Sequence, residues 1–269
     1  MKYASFAKLR DLDKFSCVGF DGVELDSCEL RALGETQFDE LKARLEALGL
    51  KVCACSWIME NTVHICDEAF DRDGWLKRFQ CDGARLARLG CPVMVFAAGP
   101  IRTVGHDADS KRKSQVINSF IRDTAQVFKT YGVKVALETV CGDYTDYLMY
   151  LRQSAEVCGD SEESNIYLLT DIRHLVRAGD EPNDILKYRQ KIIHAHIDNP
   201  INERRFAPMP DDGYNYEFFV RRVLQTGAEW ISYECHDEVD WYVSGPASLD
   251  YIRSLVGKIE MEKAGLPLE

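Results

Sequence analysis

Short apolar runs alternate with longer amphipathic stretches along most of the chain. Residues 22–25, GVEL, follow a Gly-Phe-Asp turn and read as a strand. Residues 38–48 carry apolar side chains at helical spacing and stop at Gly49. The rhythm then repeats. LKVCACSW (50–57) reads as a strand and 75–89 as a helix closed by Gly90. PVMVFAAG (92–99) reads as a strand and 115–131 as a helix closed by Gly132. VKVALETV (133–140) is followed by a predicted helix over 144–157, and IYLLTDIRH (166–174) by a short helix over 184–190. KIIHAHIDN (191–199) precedes a helix over 216–225, and EWISYEC (229–235) precedes a final helix over 249–263. A glycine just past a helix end supplies the left-handed turn that stops it. The strands are near-continuous apolar runs, as in a parallel sheet covered on both faces.

Counting from GVEL gives seven strands, and KYASFA (2–7) supplies an eighth. Strand and helix in alternation, eight times over, predict an α/β fold of the (β/α)8 TIM-barrel type, which takes about 250 residues as one unit. The 269 residues contain no Pro/Gly/Ser linker, so a single domain spanning 1–269 is expected. Between KYASFA and GVEL there is room for only a short helix, so the first βα unit reads as degenerate.

Composition narrows the function. The formal net charge is −11, and 46% of residues are apolar. A nucleic-acid binder needs a basic face to displace phosphate counterions, and docking on anionic lipid needs basic clusters, so neither partner is expected. The N-terminal MKYASFAKLRDLDKF has no apolar signal core, and no run approaches the roughly 18 apolar residues of a membrane span. The ten cysteines fall mostly in apolar segments, and LKVCACSW holds a C-x-C rather than the C-x-x-C of a redox or zinc motif. Reduced, buried thiols in a cytoplasmic protein are expected.

Polar residues at the ends of apolar runs carry the chemical signal. Glu138 ends VKVALE, Asp171 ends IYLLTD, His196 lies near the end of KIIHAH, and Glu234 ends EWISYE. In a parallel barrel these ends converge on one mouth, where active sites sit. Burying three carboxylates together is costly unless a cation neutralises them. One imidazole nitrogen with several carboxylate oxygens suits Mn²⁺, Mg²⁺ or Co²⁺, and zinc would also accept the set. Each carboxylate alone could instead cap a helix or pair with an arginine: Asp171 could cap the segment after it, with Arg173 as its partner. His194 and His196 share one strand face, and His194, the deeper, is expected to be a core histidine.

At these residues the sequence resembles the sugar phosphate isomerase/epimerase superfamily, the xylose isomerase-like barrels that include ketose 3-epimerases, hydroxypyruvate isomerase, inosose dehydratase and endonuclease IV. The phrases that carry it are GFDGVEL, GVKVALE, LLTDIRH, IIHAHIDNP and the Glu at the end of EWISYE, one βα unit apart over nearly the whole chain. The resemblance implies that Glu138, Asp171, His196 and Glu234 hold one metal ion, Mn²⁺ first among the candidates. It implies that Glu138 and Glu234 are also the acid/base pair, and that His174 and one of Arg204 and Arg205 contact a small sugar or cyclitol. Trp57 and Phe96 could wall the pocket, or belong to the core. Glu24, in GVEL, resembles a family position near the mouth, where structural and ligand-supporting roles are both open. His64 and His236 read as loop residues. Superfamily members often form dimers or tetramers, so a homo-oligomer or a partner subunit belongs to the same expectation.

The implied activity is a metal-dependent epimerase or isomerase that abstracts a proton next to a carbonyl. A lyase or dehydratase of the same superfamily is the alternative. An endonuclease IV-like nuclease would need further histidines, and Ala97 and Ala98 stand where one is expected. The loop after His196 also lacks an Asp-x-His pair. A non-enzymatic binding barrel would have no use for the ligand set.

Overall fold

In the computed structural model, which describes residues 1–97, 99–180, 183–238 and 240–265, eight parallel strands close into a barrel. They are β1 (Lys2–Ala7), β2 (Gly22–Asp26), β3 (Lys51–Ser56), β4 (Val93–Phe96), β5 (Lys134–Glu138), β6 (Ile166–Asp171), β7 (Ile192–Ile197) and β8 (Trp230–Tyr233). Each pairs with the next, and β8 returns to β1, with Lys2 opposite Trp230. The helices around them are α1 (Leu12–Val18), α2 (Ser27–Ala32), α3 (Glu35–Ala47), α4 (Arg72–Leu89), α5 (Ser110–Lys129), α6 (Leu151–Cys158), α7 (Ile172–Ala178), α8 (Asp184–Lys187), α9 (Glu217–Val223) and α10 (Trp241–Lys263). The fold is a TIM barrel, and its first βα unit is complete, although α1 has only seven residues.

Two apolar clusters hold it together. The larger packs strands against helices and includes Phe79, Phe120 and Phe128. The smaller draws only on strands and fills the barrel interior with Ala4, Ala54, Val95, Ala136 and Leu169. Alanines at three of these places leave room inside the barrel for Glu24 and His194, both fully buried. Gly22 opens β2 where an added Cβ would sit 2.3 Å from the carbonyl oxygen of Lys51, so the close approach of β2 to β3 requires glycine.

Three of the elements that differ from the periodicity have a cause in named contacts. The helix expected over 144–157 begins only at Leu151. Ahead of it Asp146 accepts from the backbone N–H groups of Val104 (2.8 Å) and Gly105 (2.7 Å), tying the segment to the β4–α5 loop. Gln153 closes the helix start by accepting from Met149 (2.8 Å) and Tyr150 (3.1 Å). The run IYLLTDIRH is a strand only to Asp171, whose side chain accepts from the His174 N–H at 2.9 Å and starts α7. The last helix starts at Trp241, eight residues before the expected 249, because the Trp241 ring is buried against Phe15, Phe20 and Tyr233. Among the described residues no helix is long and apolar enough to cross a membrane.

Candidate metal centre

Strand geometry brings four donors together. Glu138 ends β5, Asp171 ends β6, His196 is the penultimate residue of β7, and Glu234 follows β8 directly. Asp171 stands opposite His196, and His196 opposite Ser232, so Glu234 projects one step above the histidine on the same face. One donor atom from each of the four lies within 4.8 Å of the others. His196 Nδ1 is 3.2 Å from Glu138 Oε1, 3.2 Å from Glu234 Oε2 and 3.7 Å from Asp171 Oδ2. Among the described residues no cysteine joins a candidate metal-holding group.

The electrostatics explain what holds three carboxylates at one point. Burial opposes ionisation of Glu234, but the charge of Arg205, the nearby His196 imidazole and a hydrogen bond from His236 outweigh it and hold the group well below the usual range. Burial likewise opposes ionisation of Asp171, and the neighbouring His174 and His196 imidazoles and the charge of Arg205 bring it below its ordinary value. His196 responds in the opposite sense. Burial disfavours its charge, yet Glu24, Asp171, Glu138 and Glu234 together drive its pKa well above the ordinary imidazole value. Without a metal the cluster is therefore held by a protonated His196 and by Arg205. With His196 neutral, three carboxylate oxygens and one nitrogen lie at the spacing of a coordination shell, and the donor set fits a divalent cation.

A pH dependence arises from the direction of these shifts. Metal and proton compete for His196 Nδ1. The raised pKa favours the protonated ring in the metal-free site, so binding displaces that proton. Apparent affinity is expected to fall by about tenfold per pH unit below the raised His196 pKa and to level off above it. Calorimetry at pH 6 and pH 8, in buffers of different ionisation enthalpy, measures both affinity and protons released. Equal affinity at the two values with no proton release would remove His196 from the ligand set.

A cavity of about 290 Å³ opens above the four donors. Glu138, His196, Glu234 and His174 face it from below, and Trp57, Val140 and Tyr144 wall it. Trp57 sits at φ 57°, a left-handed conformation that is an outlier for a bulky residue. The Ser27 hydroxyl and the Cys28 thiol donate to its carbonyl and hold it there. Phe96 is wholly buried in the layer between strands and helices and does not line the cavity. Of the two arginines after β7, Arg205 enters the site and Arg204 does not. Arg205 donates to Glu234 Oε2 at 2.8 Å and to His174 Nε2 at 3.1 Å. Arg204 is 56% exposed along its side chain and lies over the Phe206 ring. Arg173 pairs with Asp198, not with Asp171. His64 is exposed and points to the Pro100 carbonyl. Ala97 lines the cavity, whereas Ala98 lies outside the described residues.

Sequence reasoning undervalued two side chains. His236, read as a loop residue, lines the cavity with Nε2 3.0 Å from Glu234 Oε1, its ring packed edge-on against Phe6. Glu24 lies beneath His196, with both carboxylate oxygens 3.1 Å from His196 Nε2. Its signal in the sequence was a carboxylate in the middle of an apolar strand, which must find donors if that strand is buried.

A family model described as a xylose isomerase-like TIM barrel matches residues 12–254. No curated protein matches the sequence. Among solved structures, a D-psicose 3-epimerase determined in the presence of D-fructose superposes with a TM-score of 0.81 at 14% identity, covering 96% of this chain and 100% of that one. A 3-keto-D-glucoside 4-epimerase from E. coli, in its apo form, superposes with a TM-score of 0.76 at 19% identity, covering 94% and 99%. The IolI protein with a bound zinc atom superposes with a TM-score of 0.74 at 17% identity, covering 97% and 99%. At these identities the structural likeness establishes the fold.

Proposed function

The chain belongs to the xylose isomerase-like TIM-barrel family, and on that premise we propose that it is a metal-dependent epimerase or isomerase of a small sugar or cyclitol. The observation that carries this reading is the convergence of Glu138, Asp171, His196 and Glu234 beneath a cavity. The similar structures named as epimerases, and the zinc in the IolI protein, support it. The four residues would hold one divalent cation, Mn²⁺ first, with Mg²⁺, Co²⁺ and Zn²⁺ as alternatives. When bound, the cation supplies Lewis-acid stabilisation of the negative charge that develops on substrate oxygens.

The chain's own residues do the rest. Glu138 and Glu234 stand at the cavity floor as the acid/base pair. One takes a proton from the carbon next to the carbonyl, and the other delivers one. Arg205 and His236 keep Glu234 ionised and fix its orientation through contacts of 2.8 and 3.0 Å. His174, whose Nε2 is 4.0 Å from Glu138 Oε1, would exchange its contact with Arg205 for one with a substrate oxygen. The walls of Trp57, Val140 and Tyr144 limit water at the reacting carbon. Delivery to the opposite face of the same carbon gives epimerisation, and delivery to the neighbouring carbon gives isomerisation.

Deuterium exchange tests the proposal. Enzyme loaded with Mn²⁺ and then desalted, mixed with ketoses and keto-inositols in D₂O, is expected to incorporate deuterium next to the carbonyl, and EDTA is expected to abolish it. The labelled carbon names the reaction. An unsaturated product would assign elimination instead, and exchange indifferent to EDTA would remove the metal from the reading.

A further inference from the structure

We infer that Glu24 is a positioning residue whose carboxylate fixes the His196 imidazole with its proton on Nε2, leaving Nδ1 free to face Glu138, Asp171 and Glu234. The inference rests on the metal reading of that cluster and assigns a role to a residue outside it.

Glu24 lies on β2 and His196 on β7, so their contact crosses the barrel interior. Glu24 Oε1 and Oε2 are each 3.1 Å from His196 Nε2. Glu24 Oε2 is also 2.9 Å from His194 Nε2, and the Ser56 hydroxyl donates to Oε1. An ionised carboxylate only accepts hydrogen bonds, so both imidazoles must present Nε2–H to it. His194 bears this out independently: its Nδ1 is buried without a partner, which suits a neutral ring protonated on Nε2. For a neutral His196 the same tautomer turns the Nδ1 lone pair toward the point where Glu138, Asp171 and Glu234 converge, where a cation would sit. Glu24 is 0% exposed and receives donors from three side chains, so its acceptor capacity is used without a cation of its own. The alanines of the barrel interior leave the space this arrangement occupies.

A carboxylate on the far nitrogen of a ligating histidine sets ring orientation and raises ligand basicity, and its loss typically costs about 10–100-fold in metal affinity. In Glu24→Gln one acceptor oxygen becomes an N–H donor. The amide can no longer accept from both imidazoles through both oxygens, so His196 is released to take the other tautomer.

The experiment uses Zn²⁺, which is diamagnetic, as the probe. Zn²⁺ affinity is measured by chelator competition for the wild-type chain, Glu24→Gln and Glu24→Asp. In parallel, ¹⁵N-imidazole NMR of the Zn²⁺-loaded wild type reports which His196 nitrogen carries the proton. Glu24→Gln is expected to weaken Zn²⁺ by about 10–100-fold. Glu24→Asp, which retains two acceptor oxygens, is expected to recover part of that loss although it packs no better. His196 is expected to show a slowly exchanging proton on Nε2. Unchanged affinity in Glu24→Gln, or a wild-type proton on Nδ1, would overturn the inference. So would two ions per chain falling to one in Glu24→Gln, which would make Glu24 a ligand. Should that variant fail to fold, the wild-type spectrum decides alone. If the wild type binds no divalent cation, the metal reading itself fails, and that result differs from every outcome above.

Discussion

Glu138→Gln and Glu234→Gln are each expected to lower turnover by about 10²–10⁴-fold, the usual contribution of general acid–base catalysis. Glutamine keeps the shape and one acceptor oxygen but cannot carry a proton between carbon and solvent at neutral pH. A two-base site predicts an asymmetry beyond the size of the loss. With a substrate of one configuration, the variant lacking its base should show no deuterium wash-in. With the epimer, the same variant should still exchange, because abstraction begins on the other side. Glu234→Gln is expected to be the more severe. It releases Arg205, whose other carboxylate neighbours are Asp198 at 3.5 Å and Asp171 at 3.6 Å. Metal content must be measured in each variant, so that a lost ligand is not mistaken for a lost base. A variant that kept full activity on a confirmed substrate, with metal bound, would strike that glutamate from the mechanism.

These residues could be picked out of the sequence because parallel strands write their mouth into the chain. An apolar run ending in Glu, Asp or His is covered along its length and opens at its carboxyl end, so Glu138, Asp171 and Glu234 announce themselves by position. The barrel was legible for the same reason, strand and helix alternating eight times with glycine stops. Contacts between distant segments were not. Whether Arg204 or Arg205 turns inward depends on a loop whose path is set by Arg173, on another unit. The helix expected from residue 144 yields to backbone hydrogen bonds from Val104 and Gly105, more than forty residues away. Glu24 meets its partners on β3 and β7, and no local pattern encodes that.

At pH 9 Arg173→Met is expected to cost about 3–5 kcal/mol of stability, the range for removing one partner of a buried charged pair, and less at pH 6. Arg173 is 1% exposed. Its guanidinium donates to the carboxylate of Asp198 and to the carbonyls of Asn202 (2.8 Å), Asn199 (2.6 Å) and Arg204 (3.0 Å). It therefore pins the loop that delivers Arg205 to the site. Methionine keeps the aliphatic volume and leaves four acceptors short of a donor. The deficit should depend on pH in a definite direction. Burial and the charge of Asp171 push the Asp198 carboxyl up to about 8, against the pull of Arg205 and Arg173. An acid whose folded pKa is raised above its unfolded value of about 3.9 binds more protons in the folded state. The stability it contributes is present at low pH and is lost as pH rises through the folded pKa. Removing Arg173 takes away one of the two pulls and moves that pKa higher still, so the stability gap between wild type and variant should widen from pH 6 to pH 9. At pH 6 a protonated Asp198 tolerates the loss, whereas at pH 9 a buried carboxylate is left with Arg205 alone. Urea unfolding of both metal-free proteins at the two pH values measures the gap. A gap that narrowed with pH would show that Asp198 is not held by Arg173 in this way. On the proposal that Arg205 contacts substrate, the folded variant is expected to show a raised KM with less change in kcat, because the released loop no longer presents that arginine.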